Sequence, residues 1–191
     1  MMIGENEVEI MIIGKNHDEY ADGGIAPLTF MTKQVVGEHR MKSTWDNLGG
    51  WDESEMYGYL NNETDGVITT LSADVQAAIK PVVKTTTIGG GSSETETSND
   101  KLFLLSSVET SITVTEPYNL EGSRYDYFGK TYGGTITPSK LYDLSGSASN
   151  WWLRSPDATN KSYFIIVNKE HGATQTAGAG GSNGVAFGFC F

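Results

Sequence analysis

The residues of this chain with the widest chemical repertoire are three histidines, one cysteine and a scatter of carboxylates, and their spacing restricts what they can do. His17, His39 and His171 are too dispersed to read as a zinc site, and no His-Glu-x-x-His pair is present. The one cysteine, Cys190, lies in an apolar terminal segment, which predicts a buried, inert thiol rather than a nucleophile paired with histidine. A lone cysteine also excludes an internal disulfide and a cysteine-based metal cluster. Asn16-His17-Asp18-Glu19-Tyr20-Ala21-Asp22-Gly23 offers oxygen ligands and a glycine, but its spacing does not match a calcium-binding loop, so it reads as a solvated acidic turn. Serines are frequent, yet none sits in a Gly-x-Ser-x-Gly elbow. No catalytic residue, metal or cofactor is therefore expected.

Trp151-Trp152-Leu153-Arg154-Ser155-Pro156 carries a different kind of chemistry. An exposed tryptophan can stack on a sugar, but neighbouring strand residues point to opposite faces, and large aromatics most often pack; both are expected to be mainly structural. Arg154 has Asp157 close by, and a buried or half-buried ion pair between them is the expectation, ahead of an anion site.

The elements that must position these residues follow from periodicity. Glu7 to Ile13 alternates charged and apolar residues at first, as a half-buried strand does, and Leu28 to Thr32 is a second strand, suggesting an opening antiparallel pair. A helix is expected from Asp52, with Asp52 as cap, Glu55 reaching back, and Met56, Tyr59 and Leu60 on one face. A second runs from Ser72 to Lys80, where Pro81 stops it. Thr85 to Asn99 combines glycine, hydroxyl and acidic residues with almost nothing to bury, which predicts a flexible internal loop, residues 85–99, within one domain spanning 1–191. Lys101 to Ser106 is a short apolar run suited to a doubly buried strand, and Ser106 to Asn150 is expected to form long loops. Ser162 to Val167 has a clear strand signal. Gly184 to Phe191 closes the chain with an apolar alternation that would be pinned inside a sheet.

Charge narrows the partners. Formal net charge is −11, and it sits in the first hundred residues, where 17 Asp/Glu face 6 Lys/Arg; from 101 to 191 the count is 7 against 7. Nucleic-acid binding needs clustered cations, and so does an anionic membrane surface; neither is expected as a partner. No apolar run is long enough to insert in a bilayer, and the first residues lack the basic and apolar regions of a secretory signal.

Four ordered motifs carry a resemblance: Gly49-Gly50-Trp51-Asp52-Glu53-Ser54-Glu55-Met56, Asp100-Lys101-Leu102-Phe103-Leu104-Leu105-Ser106, Trp151 to Pro156, and Gly184-Val185-Ala186-Phe187-Gly188-Phe189. Together, from about Val8 onward, they resemble a family of uncharacterised domains in surface and prophage proteins of gut bacteria. More widely, the Trp-rich strand with arginine, the segment after it and the terminal apolar strand are similar to the C-type-lectin-like fold. That fold is shared by formylglycine-generating enzymes and by the variable proteins of diversity-generating retroelements. The resemblance implies an α+β, C-type-lectin-like fold with short antiparallel strands, two helices and long irregular loops. The active-site cysteine pair of the formylglycine-generating enzymes is not matched, since this chain has one cysteine. Trp45-Asp46-Asn47 is similar to the Trp-Asn-Asp calcium element of true C-type lectins, but the order differs and it lies too early in the chain.

What the variable proteins imply is a ligand surface in the small, polar segment before the last strand. If strand alternation puts Phe164 and Ile166 inward, Tyr163 and Ile165 face out, although the all-apolar run leaves the parity open. Asn168, His171, Thr174, Gln175, Thr176, Ser182 and Asn183 would add the adaptable polar contacts typical of paratopes. The same segment also reads as a flexible loop between two strands. The expected function is non-enzymatic recognition of a protein or glycan on a cell surface, by a receptor-binding or adhesin module of a phage or bacterial surface. The alternative is a structural tail-fibre or surface-layer component using the same loops for subunit contacts.

Overall fold

The computed structural model describes residues 1–110, 117–128 and 140–191, together with the backbone of 131–132 and 135–136. Its main strands are β1 (Ile10–Lys15), β2 (Leu28–Thr32), β3 (Gly37–His39), β4 (Val82–Thr87), β5 (Thr95–Asp100), β6 (Trp151–Pro156), β7 (Tyr163–Val167), β8 (Thr174–Gly178), β9 (Asn183–Val185) and β10 (Gly188–Cys190). The α-helices among the described residues are α1 (Glu55–Asn61), α2 (Ala73–Ala78) and the single turn α3 (Ser107–Thr110). The chain is α+β, with strands predominating.

The expected opening pair forms: β1 and β2 are antiparallel, with Met11 opposite Met31. β1 starts at Ile10 rather than Glu7, because Asn6–Glu7 pairs with Met2–Ile3 in a small hairpin of its own. β10 pairs with the other edge of β2, with Phe189 opposite Phe30. The chain end is thus held inside a sheet, with Phe187, Phe189 and Cys190 fully buried and only Phe191 exposed. A five-stranded sheet in the order β8-β7-β6-β9-β3 lies alongside. β9 runs parallel to β6, and its other pairings are antiparallel. Ala186 and Phe187 carry the chain from β9 in this sheet to β10 in the other, so burying the terminal aromatics ties the two sheets together.

The helices fall where their apolar spacing puts them, with different caps. Ser54, not Asp52, caps α1, its hydroxyl accepting from Tyr57 N at 3.0 Å. Met56 and Leu60 are buried, while Tyr59 stacks on His39 with ring centroids 4.2 Å apart. Ser72 stands at the start of α2 without a side-chain cap bond.

Residues 85–99 depart from the sequence reading. They belong mostly to a β-hairpin in which β4 and β5 pair continuously from Val82–Asp100 to Thr87–Thr95, leaving only 88–94 as its turn. Threonines at 85, 86, 87, 95 and 97 supply β-branched side chains that suit a pleated surface, and Thr86 and Thr87 are buried. Lys101 to Ser106 differs too. Leu102 to Leu105 are fully buried but form no continuous strand: Phe103 exchanges backbone bonds with Gly188, and Leu105 O accepts from Arg154 N. The expected loops across 106–150 fall partly outside the described residues; within them, Tyr125 and Phe128 are core, and Leu141–Asp143 pairs with Gln34–Val35 and Ala148–Ser149.

Candidate ligand-binding surface

β6 is a floor rather than a site. Trp151 to Pro156 are all buried, both tryptophans completely, and Trp152 donates from Nε1 to His39 O at 2.7 Å. On this floor stands the β7–β8 hairpin. Phe164 and Ile166 are core, as alternation suggested, but Ile165 is buried as well, at 6% exposure. That corrects its expected outward role: β7 lies inside the sheet, between β6 and β8, and both of its faces are covered along most of its length. Tyr163, at the strand's open end, is 37% exposed.

The segment expected to be a polar loop contributes β8 instead. Thr174, Gln175 and Thr176 pair with Val167, Ile166 and Ile165 and are exposed. Side chains directly opposite share a face, so Tyr163, Thr174 and Thr176 lie on one side of the hairpin. Gln175 lies on the other, where its Oε1 accepts from Asn168 Nδ2 at 2.7 Å. Asn168 also closes the hairpin turn, its Oδ1 accepting from Glu170 N and His171 N. His171 is exposed at the tip, 3.8 Å from Glu170. Ser182 is exposed, but Asn183 is half-buried in β9 opposite His39, separated from β8 by β7 and β6. The expected set therefore divides. Tyr163, Asn168, His171, Thr174, Gln175 and Thr176 gather around β8; Ile165 is core; Asn183 belongs elsewhere.

β8 is also an edge. The bonds from Asn168 N to Ala173 O and from Ala179 N to Ser162 O fix the register. In that register Gln175 and Ala177 exchange backbone bonds with β7, and the backbone groups of Thr174 and Thr176 point away from the sheet.

A residue that sequence reasoning passed over lies beside this hairpin. Trp45 is 58% exposed, with φ at +58°, a left-handed conformation that costs an ordinary residue about 1–2 kcal/mol. Its ring covers Gly178 and Gly180: a Cβ on Gly180 would stand 2.3–2.6 Å from Trp45 Cε2, Cδ2 and Nε1. A Cβ on Gly178 would meet Trp45 at 3.1 Å and Tyr163 at 3.6 Å, so both rings border the same glycine. The loop that presents Trp45 is braced on both sides. Met41 N and Lys42 N donate to Ala179 O, and Glu55 accepts from Ser43 N at 2.8 Å and Arg40 Nε at 2.7 Å. The bonds from Ser43, with Arg40 adding to them against a partial burial penalty, hold the Glu55 carboxyl down at about 2. On the far side Asn47 is fully buried, its Nδ2 donating to the carbonyls of Asp157, Asn160 and Tyr163 and its Oδ1 accepting from Gly90 N. Asn47 thus anchors the loop to the β6–β7 connection. The only local signal for Trp45 was a tryptophan outside any helical or strand period.

The span that holds this loop, the hairpin and the floor beneath them matches one family model, a domain of unknown function designated DUF6273, over residues 28–190. The chain belongs to the DUF6273 family. Neither the curated proteins nor the solved structures yield a match.

The DUF6273 span also contains a buried ionic cluster that no sequence spacing announced. Arg154 pairs with Glu109, not with nearby Asp157, at 2.6 Å from Nη1 to Oε2 and 3.0 Å from Nη2 to Oε1. Its remaining donors reach Thr86 Oγ1 and the carbonyls of Leu104, Thr85 and Glu121. Asp157 instead closes its own turn, accepting from Thr159 N and Asn160 N. Lys84 bridges Glu109 at 3.2 Å and Asp18 at 2.5 Å, donates to Tyr125 Oη at 2.7 Å and lies over the Phe103 ring. Asp18 enters this DUF6273 cluster from ahead of residue 28, so it is not the solvated residue the acidic-turn reading expected. Burial alone would raise the Glu109 carboxyl, but Arg154 and Lys84 outweigh it and hold the group at about 2. Cys190 lies at the margin, its thiol pushed up to about 12 by burial and by Asp18. A cavity of about 200 Å³ reaches the cluster past His17, Glu19 and Ser123. Arg154, Glu109, Lys84 and Asp18 are each engaged with another of the four, while the Glu121 carboxyl on the same cavity wall accepts from Thr87 and Ser155.

Proposed function

We propose that this DUF6273 chain is a non-enzymatic ligand-binding domain with a C-type-lectin-like fold, presenting the β7–β8 hairpin as its contact surface. The observation that carries the reading is the contrast along one stretch of chain. Trp151 to Pro156 and Gly184 to Cys190 are buried throughout, whereas Tyr163, His171, Thr174, Gln175 and Thr176 project from them exposed, with no Asp, Glu, Lys or Arg among them. A rigid floor under adaptable polar side chains and one aromatic is the composition of a preorganised recognition surface. The mutual pairing of Arg154, Lys84, Glu109 and Asp18 supports a structural role for these four over a catalytic one, since a catalytic acid or base needs a free direction toward substrate. On this reading the ligand is a protein or glycan on a cell surface. The domain serves as a receptor-binding or adhesin module of a phage or bacterial surface, its hairpin the segment that a diversity-generating retroelement would vary.

The experiment is a binding screen of the purified domain against arrayed bacterial-surface glycans and proteins, repeated with Tyr163, His171 and Gln175 replaced by alanine. The expected result is at least one specific ligand whose affinity falls about tenfold or more in the variant, with its melting temperature retained. Unchanged binding to every positive ligand, or no ligand at all, overturns the reading.

The unpaired edge of β8 favours a second reading, a structural tail-fibre or surface-layer component. Thr174 to Gly178 has neither charge nor proline to discourage edge pairing between copies. Light scattering separates the two: a stable oligomer that buries Tyr163 supports the structural role, and a monomer supports recognition.

A further inference from the structure

We propose that Trp45 is the stacking platform of a sugar site, taking one neutral pyranose ring of a glycan against the open face of its indole; this rests on the ligand-binding reading of the adjoining hairpin. One face of the ring lies on Gly178 and Gly180, where any side chain would displace it. The other is open, which accounts for an exposure of 58% in a residue type that ordinarily packs. The backbone holds this geometry at a positive φ, and the loop around it is fixed by Asn47 and Glu55. The indole is thus in place before any ligand arrives, which removes an ordering cost from binding.

The surroundings select the ligand class. Tyr163 borders the same glycine, Thr176 shares the face of the hairpin with Tyr163, and Ser182 stands two residues beyond Gly180. These are hydroxyls that donate and accept, matching sugar hydroxyls around a ring whose C–H face seeks an aromatic plane. An acidic sugar or phosphate finds no free cation in this loop. Lys42 donates to Leu48 O at 2.6 Å and lies 3.4 Å from Asp46, in a chain whose net charge is −11. A protein hot spot would instead require a rim of contacts that keeps water from the indole, and the small glycines beneath it and hydroxyls around it provide none.

The chain reports on this site by itself, because Trp51, Trp151 and Trp152 are at most 1% exposed and only Trp45 can respond to a ligand in contact. The test is a glycan array of neutral oligosaccharides built from glucose, galactose, mannose and N-acetylglucosamine beside sialylated and sulfated ones, followed by fluorescence titration of the hits. The expected result is a neutral oligosaccharide that shifts tryptophan emission. Its affinity should fall about tenfold in Trp45→Ala, with the shift lost. Gly180→Ala, which keeps the indole but forces it off its seat, should weaken binding as well, and both variants should melt as the parent does. Binding unaffected by Trp45→Ala, binding confined to the acidic glycans, or no bound glycan overturns the sugar site. A protein ligand lost on hairpin substitution in a domain that binds no sugar would overturn this inference and leave the ligand-binding reading standing. Sugar binding that needs Trp45 but tolerates alanine at Tyr163, His171 and Gln175 would do the reverse.

Discussion

Glu109 is the residue on which the buried charges depend. It receives two bonds from Arg154 and one from Lys84, all at positions with almost no exposure. Taking such charges out of water is unfavourable, and removing one partner leaves the other uncompensated. Glu109→Gln should therefore destabilise the domain by about 3–5 kcal/mol in urea unfolding. Asp157→Asn, which preserves an acceptor for the turn and has no part in holding Arg154, should cost less than about 1 kcal/mol. Equal effects would mean that Arg154 is not held as described. The sequence made the nature of Arg154 legible but not its partner. An arginine inside an apolar strand must be paired, but Glu109 lies 45 residues away in the chain, and proximity in sequence pointed to Asp157. Ile165 was misplaced for a related reason: alternation says which residues share a face, not whether the second face is also covered.

At the scale of elements, what could be read depended on where the apolar residues fell. β2 and β7 were recognisable because their β-branched and aromatic runs are continuous, and α1 because Met56 and Leu60 are one turn apart. The β4–β5 hairpin was not. β5 is mostly solvent-facing and polar, with only Asp100 fully buried, and the Gly-Gly-Gly-Ser-Ser of its turn dominated the composition of the whole stretch. The hairpin's threonines were the available signal. β8 was hidden in the same way, since an edge strand with exposed threonine and glutamine has the composition of a loop. Trp45 was illegible because its importance comes from glycines more than a hundred residues later, Gly178 and Gly180, which the β9 and loop connections bring beneath it. The family match covers the span from Leu28 to Cys190, within which these distant pairings arise.

For the molecule as a whole, the carboxylates fall into two groups whose effects on stability oppose each other. Burial lifts Asp100 to about 6, one of its oxygens having no hydrogen-bond partner, and burial with Asp52 close by lifts Glu96 to about 7. A carboxyl raised on folding contributes stability that is present below its unfolded pKa and lost as pH rises through the folded one. Glu109 and Glu55 are lowered to about 2, so their contribution is present above the unfolded value of 4.5 and lost as pH falls toward 2. The excess of negative charge, −11 at neutrality, adds self-repulsion that also eases on mild acidification. Thermal unfolding should accordingly show greatest stability at about pH 4 to 4.5, with a decline below it toward 2 and above it through about 7, and Asp100→Asn should flatten the decline on the neutral side. A stability that rises steadily to pH 8 would contradict this assignment. If the exposed hairpin on its buried floor contacts the ligand, hydrogen exchange of the domain with and without its tightest-binding array ligand will locate the contact. The edge amides of Thr174 and Thr176 and the loop around Trp45 should gain protection; protection centred instead on the cavity beside Lys84 and Glu109, with the hairpin unchanged, would rule the hairpin out as the contact surface.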